Sequence, residues 1–550
     1  IIKEKGKRNH LQDDYVKFLR LALLQHESSG CGITGLITNH SYLDSPTFRA
    51  MRHYIYQNAH SAFFVDLNGN SKRNDSVTHV GDENVFDIQQ GVGICIMNFN
   101  SHSSKDKIFK YASIHGSRDS KYKILEDSAS NISFVSLNII PPFYFFVHKE
   151  DEQSYPEYLQ WPKLDEFMKV GGTGIKTNRD SFAIAFDEET LLKRIEIFRD
   201  NRITDEEAIQ ELGLKENYVW KVGDQRQKFS IDGNHDRIKN VDYRPFDKRK
   251  IYYQKNIVFN PRFDTMSNSD PSNLFILSCR QQYEPGFRHV FVTRELFECC
   301  LISNKSREIT SGFPLYIMKD SKNINELFPS DNKELNLTQD YIKEWERLQN
   351  KQLLPSTSSI DTNTLSAYSI IGFIFSVLSS THYRLRYEGL LKTDFPRIPQ
   401  ISNISLFSKL STLGQKLIKF QLMEYDFNEF SISTPEGFTN CVELEKITWS
   451  DNTVWLNKEH TKGFKGVSKD VWNYKIGSYK VSEKWLKDRI SKNKDNASKN
   501  NIINLDDITH YQKIISTISE TLKVVSEIDN TIKVQGGWPG AFENEKIKID

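Results

Sequence analysis

Gly35-Leu36-Ile37-Thr38-Asn39-His40-Ser41-Tyr42-Leu43-Asp44, followed by Thr47-Phe48-Arg49-Ala50-Met51-Arg52, is the stretch that decides how this chain is read. Residues 32–38 (GITGLIT) form a short apolar run of the kind that reads as a buried strand. Asp44 or Ser45 then suits an N-cap, Pro46 the first helical position, and PTFRAMRHYIYQ a helix body. Upstream, Leu11, Tyr15, Phe18, Leu19, Ala22 and Leu23 recur at helical spacing, with Asp13 and Asp14 in the first turn and Gly30 as the break. Downstream, residues 61–67 (SAFFVDL) and 91–99 (GVGICIMNF) read as strands, and Phe109 to Ile114 as a fourth. A polar loop from Asn68 to about Glu83 separates the second from the third. This order suits the trailing half of an α/β sheet, with the last two strands close enough to be antiparallel neighbours.

Residues 131–240 mix short strands with a charged helical stretch, Glu188 to Leu212, and read as a connector with little chemistry. Residues 241–265 are aromatic and basic, and 266–430 alternate strands and helices. Residues 321–365 are polar and read as surface loop or helix, and 403–424 as an amphipathic helix pair. Residues 488–504 are a Lys/Asn-rich loop, and a long helix is predicted from Asp506 to Ile528.

A chain of 550 residues is too long for one ordinary core, so two to four domains are expected. With 35 Phe and 23 Tyr it is too aromatic to be disordered. Its 73 basic and 72 acidic residues nearly cancel, so any nucleic-acid face must be a local patch. None of the six Cys forms a CxxC pair, which suits reduced thiols in a cytoplasmic protein. His40, His53 and His60 have no zinc-site spacing, so no metal is expected. No apolar run approaches the roughly 20 residues that span a bilayer. Ile1-Ile2-Lys3-Glu4-Lys5 has neither the apolar core of a signal peptide nor an initiator Met, so a fragment or cleaved product is expected.

Six further segments follow the first in order. They are Val65-Asp66-Leu67-Asn68-Gly69-Asn70-Ser71-Lys72, Asp82-Glu83-Asn84-Val85-Phe86-Asp87-Ile88-Gln89-Gln90-Gly91-Val92, Tyr243-Arg244-Pro245-Phe246-Asp247-Lys248-Arg249-Lys250-Ile251-Tyr252-Tyr253, Leu391-Lys392-Thr393-Asp394-Phe395-Pro396-Arg397-Ile398-Pro399, Val471-Trp472-Asn473-Tyr474-Lys475-Ile476-Gly477 and Lys484-Trp485-Leu486-Lys487-Asp488-Arg489. Together the seven resemble the γ-class adenine-N6 DNA methyltransferases of type ISP and type IIG restriction–modification enzymes, over roughly Asp14 to Ile528. The first three look like late motifs of the methyltransferase domain, and the Tyr243 segment like the opening of the target-recognition region. The resemblance implies the trailing half of a Rossmann-like α/β sheet, an α+β target-recognition domain and a helical C-terminal region. The boundaries expected are 1–130 for the methyltransferase part, 131–240 for the connector, 241–430 for recognition, and 431–550 for the rest of the recognition region.

The departure from the family matters as much. Neither a Gly-rich cofactor loop nor an Asn/Asp-Pro-Pro-Tyr/Phe motif is present; the only Pro-Pro pair, Pro141-Pro142, lies after the late motifs and between Ile140 and Phe143. S-adenosylmethionine binding and the catalytic residues are therefore expected from a separate chain or segment. The implied role is the base-flipping and recognition half of a site-specific adenine-N6 methyltransferase in a restriction–modification or phage-defence system, acting on double-stranded DNA. The alternatives are a non-catalytic DNA-binding specificity subunit or a truncated remnant. A nuclease is disfavoured, because no paired carboxylate-and-lysine motif stands out.

An adenine-N6 methyltransferase must turn its target base out of the duplex, and the base needs an aromatic surface. The resemblance gives that role to Phe86. Asn39, Ser41 and Tyr42, with His40, follow a strand, where α/β ligands collect; they read either as base-pocket lining or as a turn in which Ser41 or Asp44 caps a helix. Arg244, Lys248, Arg249 and Lys250 interleave with Tyr243, Phe246, Tyr252 and Tyr253, which suits phosphate contacts or a strand anchored in a core. Arg280, Gln281 and Gln282 suit base reading. Arg384 and Arg397 read as a DNA-facing patch, or Arg397 pairs with Asp394 to brace a turn.

Overall fold

The computed structural model describes residues 12–70, 81–100, 107–127, 131–148, 154–229, 237–283, 286–306, 308–318, 333–354, 365–426, 433–490 and 501–543. The loops expected at 68–83, 321–365 and 488–504 fall partly outside them. The chain forms a mixed α/β structure of two compact units, Ile1–Tyr155 and Pro156–Asp550.

The first unit contains α1 (Asp14–Ser29), β1 (Cys31–Asn39), α2 (Arg49–Asn58), β2 (Ser61–Asp66), β3 (Val92–Asn100), β4 (Ile108–Ser113), α3 (Arg118–Glu126) and a short β5 (Val135–Ser136). The sheet order is β1-β3-β2-β4-β5. β3 runs antiparallel to both β1 and β2, whereas β2 and β4 are parallel. β3 and β4 are thus not the antiparallel neighbours expected from their proximity in sequence; β2, the most buried strand, lies between them. One face of the sheet buries Phe64, Met97, Phe109 and Phe146, with Phe64 stacked on Phe146 at 4.6 Å. On the other face Ile33 is 74 % exposed and Ile37 58 %, and Ile96, opposite Gly35, is also exposed. The stretch expected as a buried strand is therefore an edge strand. Among the described residues nothing pairs with its outer side.

The helix after β1 also begins differently from its sequence signals. His40–Leu43 and Pro46–Phe48 are 3-10 turns, and α2 starts only at Arg49. Asn39, not Ser41 or Asp44, is the cap: its Oδ1 accepts the Ser41 amide at 2.8 Å. Fully buried Arg52 then ties the segment together, donating to the carbonyls of Tyr42 (2.8 Å), Ser45 (2.7 Å) and Phe143 (2.9 and 3.0 Å). Burial pushes this guanidinium down to about 9.

In the second unit, β6 (Ile238–Arg244) and β7 (Asp247–Tyr252) form a hairpin flanked by strands Leu296–Phe297 and Ile184–Ala185. A second sheet places β8 (Phe275–Cys279) between β9 (Val290–Thr293) and β10 (Thr310–Pro314). Helices α4 (Ala367–Ser379), α5 (Ile404–Leu422) and α6 (Leu505–Val534) complete the frame. One core cluster runs from Ile175 through both sheets to Ile518 on α6. The pair expected at 403–424 is the single helix α5. α6 continues past Ile528, because Asp529 accepts hydrogen bonds from Ser380 Oγ (2.6 Å) and the Thr381 amide (3.1 Å). No helix among the described residues is long and apolar enough to cross a membrane.

α4 and α5 cross glycine against glycine: a Cβ on Gly414 would collide with the carbonyl oxygen of Gly372. Trp345, Phe373 and Phe407 fill the space beside the crossing, with ring centroids 5.0 to 5.4 Å apart. Gly414→Ala should gain helix propensity yet lose about 1–3 kcal/mol to overpacking. Denaturant unfolding of the full chain checks this; an unchanged midpoint would mean that the helices have room to spare.

Candidate functional site

In the first unit the carboxyl ends of parallel β2 and β4 lie side by side, the position where α/β sheets gather ligands. Three pieces meet there: the turn after β2, the segment before β3, and the start of α3. Lys121 of α3 is fully buried and joins them. Its Nζ donates to the carbonyls of Leu67 (2.7 Å) and Glu83 (2.5 Å) and pairs with Asp82 Oδ1 at 2.7 Å. Asp82 also accepts the amides of Gly69 (2.7 Å) and Gly116 (2.9 Å). Burial works to raise this carboxyl, but Lys121 and the two amides outweigh it and hold it below its ordinary 3.8. Gly69 has φ +71°, and a Cβ there would collide with Asn84 Cα, so the turn needs glycine.

This frame presents Phe86. Asn84 donates to the carbonyls of Gly69 (3.0 Å) and Gln90 (2.6 Å), and its Oδ1 accepts the Phe86 amide (3.0 Å). Arg118 Nε donates to Asn84 O at 2.9 Å, and Tyr122 Oη to Val85 O at 2.6 Å. Phe86 itself is 44 % exposed. It lines a cleft of about 680 Å³ together with Gly69, Asp82, Asn84, Ile88 and Arg118. An aromatic ring held on a fixed loop beside open space can stack a flat ligand without ordering cost at the moment of contact.

The other residues expected in that pocket lie elsewhere. Tyr42 is in the core, edge-on to Phe64. Asn39 caps the 3-10 turn that contains Ser41. His40 is buried, with Nδ1 2.8 Å from Asp66 Oδ1. None of the four lines the Phe86 cleft. Sequence reading missed Lys121, Arg118 and Tyr122; the available signal was their spacing on one face of a helix capped by Ser117.

The aromatic and basic segment at 243–253 turns inward. Its hairpin bends at Pro245-Phe246, where Phe246 has φ +60° and packs edge-on against Phe291. Arg244 pairs with buried Glu298 at 2.7 Å and lies 3.8 Å over the Tyr243 ring. Arg249 is held between Phe186 and Tyr243, each at 4.1 Å, and pairs with Asp247 at 2.7 Å. Arg489 reaches Asp247 (3.4 Å) and Asp507 (3.3 Å) while lying 3.3 Å over Trp485. Arg244 and Arg249, expected to face phosphates, are thus internal clamps, and Arg489 fastens the hairpin to the last hundred residues through Asp247. Lys248 stays exposed, 3.4 Å from Glu295, and Lys250 donates to Asn240 Oδ1 at 3.0 Å.

Arg280 is half-exposed and pairs with Asp394 at 3.0 Å, and Gln282 Nε2 donates to Leu391 O at 3.0 Å; Gln281, between them, is partly exposed. Asp394 therefore braces Arg280 and, at 3.5 Å, Lys163, and not Arg397. Arg397 donates to the carbonyls of Leu159 and Trp161, and Arg384 to Leu378 O at 2.7 Å. Both expected members of a surface patch are engaged with main chain. Glu298, Cys299 and Cys300 bring donor atoms within 4.8 Å of one another. Arg244 already neutralises Glu298, and the Cys299 thiol donates to it at 3.0 Å, so the group is satisfied without an ion.

The model of the family described as the Type ISP C-terminal specificity domain matches residues 166–527, about two thirds of the chain. No curated protein matches it. Among solved structures the chain is similar to one described as the cryoEM structure of a DrdV–DNA complex, at 19 % identity and TM-score 0.65, covering 95 % of this chain and 53 % of that one. It is similar to the ATP-dependent Type ISP restriction–modification enzyme LlaBIII bound to DNA, at 17 % identity and TM-score 0.65, covering 96 % of this chain and 34 % of that one. It is also similar to a nuclease-deletion mutant of the Type ISP restriction–modification enzyme LlaGI in complex with a DNA substrate mimic, at 18 % identity and TM-score 0.61, covering 94 % and 48 %. At these identities the likeness is one of fold. The chain spans about half the length of the first and third and about a third of the second.

Arg244→Ala should destabilise the second unit by about 3–5 kcal/mol, since it leaves Glu298 buried and uncompensated. Adding Glu298→Gln should recover part of that loss in denaturant melts; additive losses would deny the pairing. Lys121→Met should speed amide exchange at 67–70 and 81–90 while leaving the second unit's exchange alone. Equal protection in the variant would remove Lys121 as the organiser of the Phe86 loop.

Proposed function

The chain belongs to the family of Type ISP C-terminal specificity domains, and from that premise we propose that it recognises a DNA sequence on behalf of a restriction–modification enzyme that methylates adenine at N6. The match over 166–527 carries the recognition part of this reading. The three solved relatives, each described with DNA, support double-stranded DNA as the partner.

The methyltransferase part draws its support from the first unit. Phe86 offers a stacking face for a base turned out of the duplex. Asn84, Arg118, Lys121 and Tyr122 keep that face in place, so the ring need not be ordered when the base arrives. The exposed Ile33, Ile37 and Ile96 and the open edge of β1 suit a sheet that is continued by strands from a separate chain or segment. The residues of this chain do not fit S-adenosylmethionine. The sequence lacks the cofactor loop and the catalytic motif, and the Gly116 amide, just ahead of α3, is already taken by Asp82. No step through that group is assigned to this chain; the supplying half would bind it and hold the adenine amino group. The second reading, a specificity subunit without catalysis, shares the DNA-binding half of the proposal and is favoured by the same missing motifs.

The purified chain should bind duplex DNA with a sequence preference, recovered by selection from a random library, and its affinity should fall steeply with salt. Equal affinity for all sequences would overturn the specificity role. Calorimetry should detect no S-adenosylmethionine binding by this chain alone. If a complementing half restores methylation, Phe86→Ala should lower its rate while leaving DNA affinity nearly unchanged; retained methylation without the Phe86 ring would sink its stacking role.

A further inference from the structure

The turn at 216–222 lies in the stretch that the sequence presents as a connector. It is closed by its own hydrogen bonds. Asn217 N–H donates to Trp220 O at 3.2 Å, and Asn217 Oδ1 accepts the amides of Val219 and Trp220, each at 2.9 Å. Glu216 accepts the Val222 amide at 2.7 Å. Trp220 anchors the turn: it is buried, and its Nε1 donates to Asn256 O at 2.9 Å. The tip is left outside, with Tyr218 96 % exposed and Val219 60 %. An aromatic and a β-branched side chain thus stand in water on a support that is already ordered. Contact with a partner would bury them at little further entropy cost.

On the inner side of the same turn lies a charge with no carboxylate partner among the described residues. The Arg179 guanidinium lies 3.4 Å over the Trp220 ring, and the residue is 6 % exposed. Its Nε and Nη1 are buried and have no hydrogen-bond partner among the described residues. The adjacent Asp180 is instead engaged by the Thr177 and Tyr243 hydroxyls. Burial alone, with no neighbouring charge to offset it, pushes Arg179 down to about 10. Arg244, Arg249 and Arg489, in the same unit, each have a carboxylate. A cation sunk against an aromatic ring without a carboxylate is costly, and such groups occur where a ligand supplies the missing anion.

We propose that this turn and Arg179 form a DNA-contact element, in which Arg179 takes a backbone phosphodiester and Tyr218 packs on the adjoining deoxyribose. The proposal rests on the DNA-binding reading given above. A phosphate next to a partly apolar sugar is the surface that each nucleotide unit of a duplex offers, and a stacked Arg beside an exposed aromatic complements both parts. The contact is to phosphate and sugar, so it should add affinity without choosing the sequence.

Fluorescence anisotropy of the full chain with duplex DNA, across about 50–200 mM salt, tests it. Tyr218→Ala should weaken binding about tenfold for every sequence and leave the salt slope unchanged. Arg179→Gln should lower the slope of log K against log salt by about 1, and Arg179→Lys should keep it. Wild-type affinity and slope in both Tyr218→Ala and Arg179→Gln would overturn the element while leaving the DNA-binding reading intact. Failure of the wild-type chain to bind duplex DNA would overturn that reading and this one together. Tyr218 is too exposed for its replacement to disturb folding, so Tyr218→Ala decides alone if Arg179→Gln does not fold.

Discussion

A guanidinium or ammonium group leaves water at little cost only when its donors find acceptors inside the protein. Both units are organised by cations that meet this condition. Arg52 gathers three carbonyls from two turns, and Lys121 gathers two carbonyls and a carboxylate from two loops. Arg244, Arg249 and Arg489 do the same around the hairpin with carboxylates and ring faces, Arg489 reaching it from the C-terminal region. Each also fixes a loop that has little regular structure of its own. The Phe86 loop is the clearest case, because its shape comes from hydrogen bonds to α3 and to Asn84 and not from pairing in the sheet.

Periodicity located the elements well and their neighbours poorly. The four main strands of the first unit begin and end within two residues of where the apolar runs place them. Which strand lies beside which depends on burial shared across the sheet, and a local window does not contain it. The 3-10 turns before α2 were hidden for a similar reason: Arg52 holds them through carbonyls, and carbonyls leave no trace in side-chain patterns. Gly414 lies in the middle of one helix because Gly372 needs the room, a fact that belongs to two segments at once. The end of α6 was extended by Asp529, whose partners lie in 380–381.

The candidate site divides along the same line. Phe86 could be named from its segment because a motif carries its position. The basic residues of the Tyr243 segment could not be assigned from composition, since a lysine or arginine looks the same whether it faces solvent or a glutamate 54 residues away. Arg244 and Arg249 became clamps, while Lys248 kept its exposure. The functional reading therefore shifts from the cation-rich segment itself to the surfaces that it fastens together. The Phe86 loop and the Tyr243 hairpin lie in different units, and each unit has a core of its own to support it.

Among the described residues nothing covers the outer flank of β1, and this has a further consequence for the free polypeptide. A strand edge lined by Ile33 and Ile37 is a template on which a second polypeptide can lay a matching strand, and the most abundant polypeptide near a freshly made copy is another copy. Self-association through that edge rises with the concentration of the chain.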